Sequence, residues 1–181
     1  GQDMGTPESN AIYIQEGKVQ LITRNENSKL LFNDGIQGSG IDKASVSVNG
    51  DVTFNSQVKN IGLTLNEGLL TLNSSAKSAE TRPILDNIDL TINSGSINMQ
   101  NDRIDTLNIR NFEVSSEGDV KLAFDADLSK GESDMFNISQ AMNGELKFDA
   151  EHFDVKIKDG DKDSFRLFNR LDPNFSLIGD A

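Results

Sequence analysis

Apolar and polar residues alternate along this chain in short runs, and the runs are punctuated by glycine. A glycine preceded by Glu, Asn or Ser is followed by apolar residues at the second and fourth positions after it. The pattern occurs as Glu16-Gly17-Lys18-Val19-Gln20-Leu21, Asn49-Gly50-Asp51-Val52-Thr53-Phe54 and Glu67-Gly68-Leu69-Leu70-Thr71-Leu72. It returns as Ser94-Gly95-Ser96-Ile97-Asn98-Met99, Glu117-Gly118-Asp119-Val120-Lys121-Leu122 and Asn143-Gly144-Glu145-Leu146-Lys147-Phe148. A period of two puts the apolar residues on one face of a strand, and glycine supplies the positive φ that a tight corner needs. Each copy therefore predicts a strand, a tight turn and a second strand.

The closest internal match sets LTLNEGLLTLN, from Leu63 to Asn73, against LTINSGSINMQ, from Leu90 to Gln100. The glycine intervals are 33, 18, 27, 23 and 26 residues, near the coil length of solenoids. Several runs are too short to bury an isolated hairpin, whereas equivalent faces stacked coil on coil make one aliphatic column. A parallel β-helix with loose repeats is thus the expected all-β fold. An antiparallel β-sandwich is the alternative, because strand-glycine-strand is also a hairpin signature. Stacking further predicts that Asn66, Asn73, Asn93 and Asn98, which fall in or beside strands, join hydrogen-bonded ladders. The only helix candidates are Met135–Met142 and Asp163–Leu171. In the second, Phe165, Phe168 and Leu171 step by three, which suits a short C-terminal capping helix over an otherwise open strand edge, ended by Asp172-Pro173.

Composition narrows the function classes. Hydrophobic residues make up 35% and aromatics 6%, so the core is narrow and aliphatic. A net charge of -12 repels phosphate backbones and anionic membranes, which argues against nucleic acid as a partner. The absence of cysteine removes disulfides, thiolate nucleophiles and zinc-thiolate sites. No stretch approaches the roughly 18 apolar residues of a membrane helix, so no membrane insertion by this segment is expected. Residues 1–10, GQDMGTPESN, lack periodicity and read as a disordered lead-in or an expression scar, leaving residues 11–181 as one domain with its C-terminal part as cap.

The stretch LTINSGSINMQNDRIDTLNIRNFEVSSEGDVKLAFDADLSKGESDMFN, Leu90 to Asn137, resembles the passenger repeats of autotransporter-type bacterial surface proteins. KLLFNDGIQGSG, from Lys29 to Gly40, and the succession VNGDVTFNSQV and LTLNEGLLTLN are similar to the same family. The resemblance covers Lys29 to Phe148. It implies a right-handed parallel β-helix, export to the cell surface, anchoring through segments outside this chain, and a role in adhesion, self-association or display.

Candidate chemistry is sparse. His152, in Glu151-His152-Phe153-Asp154, is the single histidine, and no G-x-S-x-G elbow accompanies it, so a Ser-His-Asp arrangement is not expected. Asp125 and Asp127 are two apart and share one face of a strand, which Lys121 also approaches; this is the acidic pair a carbohydrate-active β-helix enzyme would need. The simpler reading makes them the solvated face of a half-buried strand, with Phe124, Ala126 and Leu128 inside. Asp159, Asp161 and Asp163 resemble the start of an EF-hand loop, but Ser164 and Arg170 occupy its glycine and bidentate-acid positions, leaving only weak metal candidates. No cofactor is implied and no catalytic residue is assigned. What remains is binding through outward Thr, Asn, Ser, Lys and Asp side chains, to a host surface protein, a glycan or another copy. With no Trp and only Tyr13, a sugar-stacking stripe is not evident; Phe32, Phe54, Phe124 and Phe148 alternate as core residues do.

Overall fold

A computed structural model describes residues 10–73, 83–115, 117–170 and 176–179, with backbone alone at Arg170 and 176–179. The expected lead-in over residues 1–10 lies outside them except for Asn10, which begins the first strand. Every regular element among the described residues is a strand, and the strands form one curled, mixed sheet.

The first seven strands are β1 (Asn10–Ile14), β2 (Gly17–Ile22), β3 (Lys29–Phe32), β4 (Gly35–Gly38), β5 (Ala44–Phe54), β6 (Val58–Leu72) and β7 (Leu85–Ile92). There follow β8 (Gly95–Asn98), β9 (Thr106–Val114), β10 (Val120–Asp127), β11 (Glu132–Ser133), β12 (Met135–Phe148), β13 (Phe153–Lys158), β14 (Phe168–Arg170) and β15 (Ser176–Gly179). Strands β5, β6 and β12 are longer than the alternation predicts. In them Gly50, Gly68 and Gly144 bend a continuous strand instead of breaking it, with φ of 128°, 103° and 113°. The ladder continues across the bend, where Gly50 pairs with Gly68 in parallel register, after a one-residue shift that skips Asn66 between Val48–Leu65 and Asn49–Glu67.

The glycine-cornered segments are parallel neighbours, not hairpins. Val52 pairs with Leu70, Leu70 with Ile97, Ile97 with Leu122 and Leu122 with Phe153, so one inward column crosses β5, β6, β8, β10 and β13. A second column runs through Val46, Leu63, Leu90, Phe112 and Met142 on β5, β6, β7, β9 and β12. All ten side chains are buried, and the columns meet in a single aliphatic core. The one antiparallel pair among the described strands is β10 with β11, where Ala126 opposes Ser133 and Asp127 opposes Glu132 around a turn with Gly131 at φ 70°.

Amide ladders tie the outer corners together. Asn93 donates to Asn66 at 2.9 Å and Asn66 to Asn49 at 3.0 Å, 27 and 17 residues apart. Asn73 donates to Asn55 at 3.0 Å and Asn55 to Asn33 at 2.9 Å. A third column passes from Asn169 through Asn137 and Asn108 to Asp86. Asn98 stands apart, its side-chain oxygen accepting the Gln100 N–H instead. A donor pointed at the preceding acceptor in each step satisfies groups that would otherwise compete with the strand ladder.

Three expectations need correction. Met135–Met142 is strand, paired in parallel with β9, and the described part of Asp163–Leu171 is extended and ends in strand β14, paired with β12; Leu171 is outside the described residues. The capping helix is therefore absent: the three-residue spacing of Phe165 and Phe168 places both rings against the core from an extended segment, and sheet pairing outweighs a helical turn. Phe148 is 37% exposed: it stands at the end of β12, where its register partner on β15 is Gly179, which brings no side chain to cover it, and its ring packs against Phe153 at 4.8 Å between centroids. Asp125 and Asp127 are not solvated, for reasons that belong to the site they help to form.

Candidate functional site

Strand β10 carries Phe124 inward, so alternation aims Asp125 outward, yet Asp125 and Asp127 are only 4% and 9% exposed. Two segments outside the regular ladder cover them. After β8 the chain crosses the outer face of β10 as a strap before entering β9, and the turn from β10 into β11 folds back over the strand end. The Asp125 carboxylate accepts the backbone N–H groups of Asn101 and Asp102, each at 2.9 Å. Asp127 accepts the backbone N–H and the hydroxyl of Ser129. Both are the backbone-satisfying bonds that a covered carboxylate needs.

Between the strap and β13 lies a cleft of about 340 Å³. Asp102 and Ile104 line it from the strap, Asp125 and Asp127 from β10, and Lys156 and Lys158 from β13. In the parallel register Asp125 lies beside Lys156 and Asp127 beside Lys158, a row of two acids on β10 facing a row of two lysines on β13. Lys156 reaches across to Asp102 at 2.9 Å. Ile104 and Ile157 expose 37% and 49% of their surface at the same place. Electrostatics follow the covering. Burial pushes Asp125 above the usual carboxylate range, against its two backbone bonds, whereas the Ser129 hydroxyl holds Asp127 below it. The Asp102 carboxylate raises Lys156.

The residue behind the site is one that sequence reasoning did not single out. Asp134, between β11 and β12, is fully buried; its carboxyl accepts the N–H of Asp105 at 2.8 Å and that of Asp125 at 2.6 Å. Burial is the largest influence on it and pushes its pKa up to about 8. Lys156, Asp102 and Asp105 were likewise not anticipated, since they come together only when β13 and the strap meet β10. Lys121, the basic residue expected near Asp125, is exposed, and Lys156 takes that place.

The other candidates sit elsewhere. His152 is in the turn before β13, with Nδ1 2.6 Å from Asp149; the same carboxylate accepts the N–H groups of Glu151 and His152, so the cluster is a turn cap. That contact holds Asp149 below the usual carboxylate range. Asp159, Asp161 and Asp163 are exposed on the loop after β13, which packs back on the β10–β11 turn through the Lys162 N–H and the Leu128 carbonyl. Among the described residues no group of three or more His, Cys, Asp or Glu side chains is arranged to hold a metal ion. The comparisons with known proteins return no matching family model, no similar curated protein and no similar solved structure.

Proposed function

We propose that the curled sheet is a right-handed parallel β-solenoid and that the chain is a non-catalytic segment of a bacterial surface or secreted protein, acting in adhesion, self-association or display. The observation that carries this reading is the parallel stacking of the glycine-cornered segments, with its Asn columns along the outer corners. Stacking of that kind repeats outward side chains at the strand spacing of about 4.8 Å and so presents long, regular polar faces. On one of them Ser47, Thr64 and Thr91 are register neighbours on β5, β6 and β7. Such faces suit a host surface protein, a glycan or another copy of the chain, and the segment resemblance to autotransporter passengers points the same way. The test is binding of the purified chain to host cells together with its sedimentation over a hundredfold concentration range. Adhesion or reversible association is expected, and failure of both rejects the reading.

A second reading, a β-helix carbohydrate-active enzyme, is favoured by the cleft, where Asp125, Asp127 and Lys156 converge. Against it, Asp125 is committed to two backbone N–H groups and is 4% exposed, which suits a structural carboxyl better than a base that must reach substrate. Turnover of an acidic polysaccharide that disappears in Asp125→Ala or Asp127→Ala would establish the enzyme; no product from any substrate or divalent cation would dismiss it.

A further inference from the structure

The strap is fastened by carboxyls. Asp125 holds the N–H groups of Asn101 and Asp102, Asp134 holds that of Asp105, and Asp134 also grips the N–H of Asp125 itself. Asp134 thus joins the strap, β10 and the start of β12 through one side chain. We propose that Asp134 is a proton-controlled latch: the strap lies closed on β10 while Asp134 carries a proton and loosens when it ionises, which changes the width of the cleft beneath Asp102 and Ile104.

Asp134 has no exposed surface, and its hydrogen-bond partners are two backbone N–H groups with no basic side chain among them. The charges that bear on it are the carboxylates of Asp105, on the strap, and Asp125, on β10, both of the same sign. The strap also carries Asp102 and Arg103; Lys156 of β13 is directed to Asp102 and Asp125. On β11, Glu132 is exposed, and the Ser133 hydroxyl donates to the Arg166 carbonyl, not to Asp134. The two N–H groups favour the carboxylate, but loss of water and the like-charged neighbours favour the acid, and burial is the larger effect.

The sign follows from linkage. A carboxyl whose value in the closed state lies above its value in the open one stabilises the closed state at low pH, and that stabilisation is lost as pH rises towards about 8. The strap is the part to yield, because Asp134 and Asp125 hold it by side chain at three amides.

Carbon-detected titration of the Asp carboxyls in the wild-type chain, with hydrogen exchange of the Asn101, Asp102 and Asp105 amides corrected for intrinsic rates between pH 5 and pH 9, tests the latch. The Asp134 carboxyl is expected to titrate far above the free value of about 3.9, and protection of the three amides to fall at least tenfold over the same interval. In Asp134→Asn the pH dependence of protection is expected to vanish. Titration of Asp134 in the ordinary carboxylate range overturns the latch, as does unchanged protection through its titration or a transition that survives in Asp134→Asn. The wild-type titration and exchange decide the matter even where the variant fails to fold.

Discussion

Alanine in place of Gly68 separates two costs that a stacked glycine corner avoids. Gly68 has φ of +103°, a region that residues with a Cβ occupy only at a cost of about 1–3 kcal/mol. A Cβ there would lie 2.1 Å from the Gly50 carbonyl oxygen and 2.6 Å from the Gly50 Cα, both backbone atoms of the neighbouring strand. Relief to the closest tolerated contact of 3.0 Å requires the strands to part by roughly 1 Å at this exposed corner, which breaks the backbone bonds flanking it. With one or two ladder bonds lost at about 1 kcal/mol each, added to the backbone strain, the expected destabilisation is on the order of 2–5 kcal/mol. Two controls isolate the contributions. Gly17 has φ of +119° with nothing within 4 Å of the added carbon, so Gly17→Ala reports backbone strain alone, about 1–3 kcal/mol. Gly40 has neither positive φ nor a neighbour within 4 Å, so Gly40→Ala is expected to be neutral or stabilising by up to about 1 kcal/mol. Urea denaturation followed by circular dichroism gives all three. A Gly68→Ala variant within about 1 kcal/mol of Gly17→Ala would refute close backbone approach at the corner.

Asn66 both donates to Asn49 and accepts from Asn93, so Asn66→Ala breaks two rungs and is expected to lower stability by about 1–3 kcal/mol in the same urea assay; a change below about 0.5 kcal/mol would make the ladder ornamental. Phe136 is fully buried, with ring centroids of Phe112, Phe124 and Phe168 at 5.3, 5.6 and 5.4 Å, and Phe136→Ala is expected to cost about 3–5 kcal/mol, read by calorimetry. Asp149 has a depressed folded value, so its contribution is present above the unfolded carboxylate value of about 3.9 and is lost as pH falls through the folded one. The difference in stability between wild type and Asp149→Asn is therefore expected to be flat from pH 5 to pH 6 and to close in more acid solution.

How far the alternation could be read depends on whether neighbouring coils supply the cover it assumes. Through Ala44–Phe54 and Val58–Leu72 they do: Val46, Val48, Val52 and Phe54 face inward at the predicted period, and parallel neighbours on both sides bury them. Asparagine at Asn66, Asn73 and Asn93 was legible as ladder for the same reason, because a residue type repeated at equivalent corners meets its own kind. The tail was not legible. Phe165 and Phe168 have a spacing that fits a helix turn, and only the open edge of β12, which accepts β14 in parallel register, makes extended chain the better solution.

The site was hidden by the same logic. A period of two says which side of β10 faces away from the core, and that was right for Asp125 and Asp127; it says nothing about whether another segment lies on that side. The strap residues 100–105, QNDRID, show no alternation, and the bonds they give Asp125 and Asp134 come from backbone N–H groups, which every residue but proline possesses; side chains add the Gln100 Nε2 bond to the Asp154 carbonyl and the Asp102 contact with Lys156. Asp125 and Asp134 supply acceptors where a strap without apolar alternation can dock. An acidic residue flanked by apolar ones, as Asp125 is by Phe124 and Ala126, therefore announces either water or a covering backbone, and sequence periodicity cannot distinguish the two. Only the contact does, and here it converts an apparently solvated pair of carboxyls into the floor of a cleft whose cover hangs on Asp134.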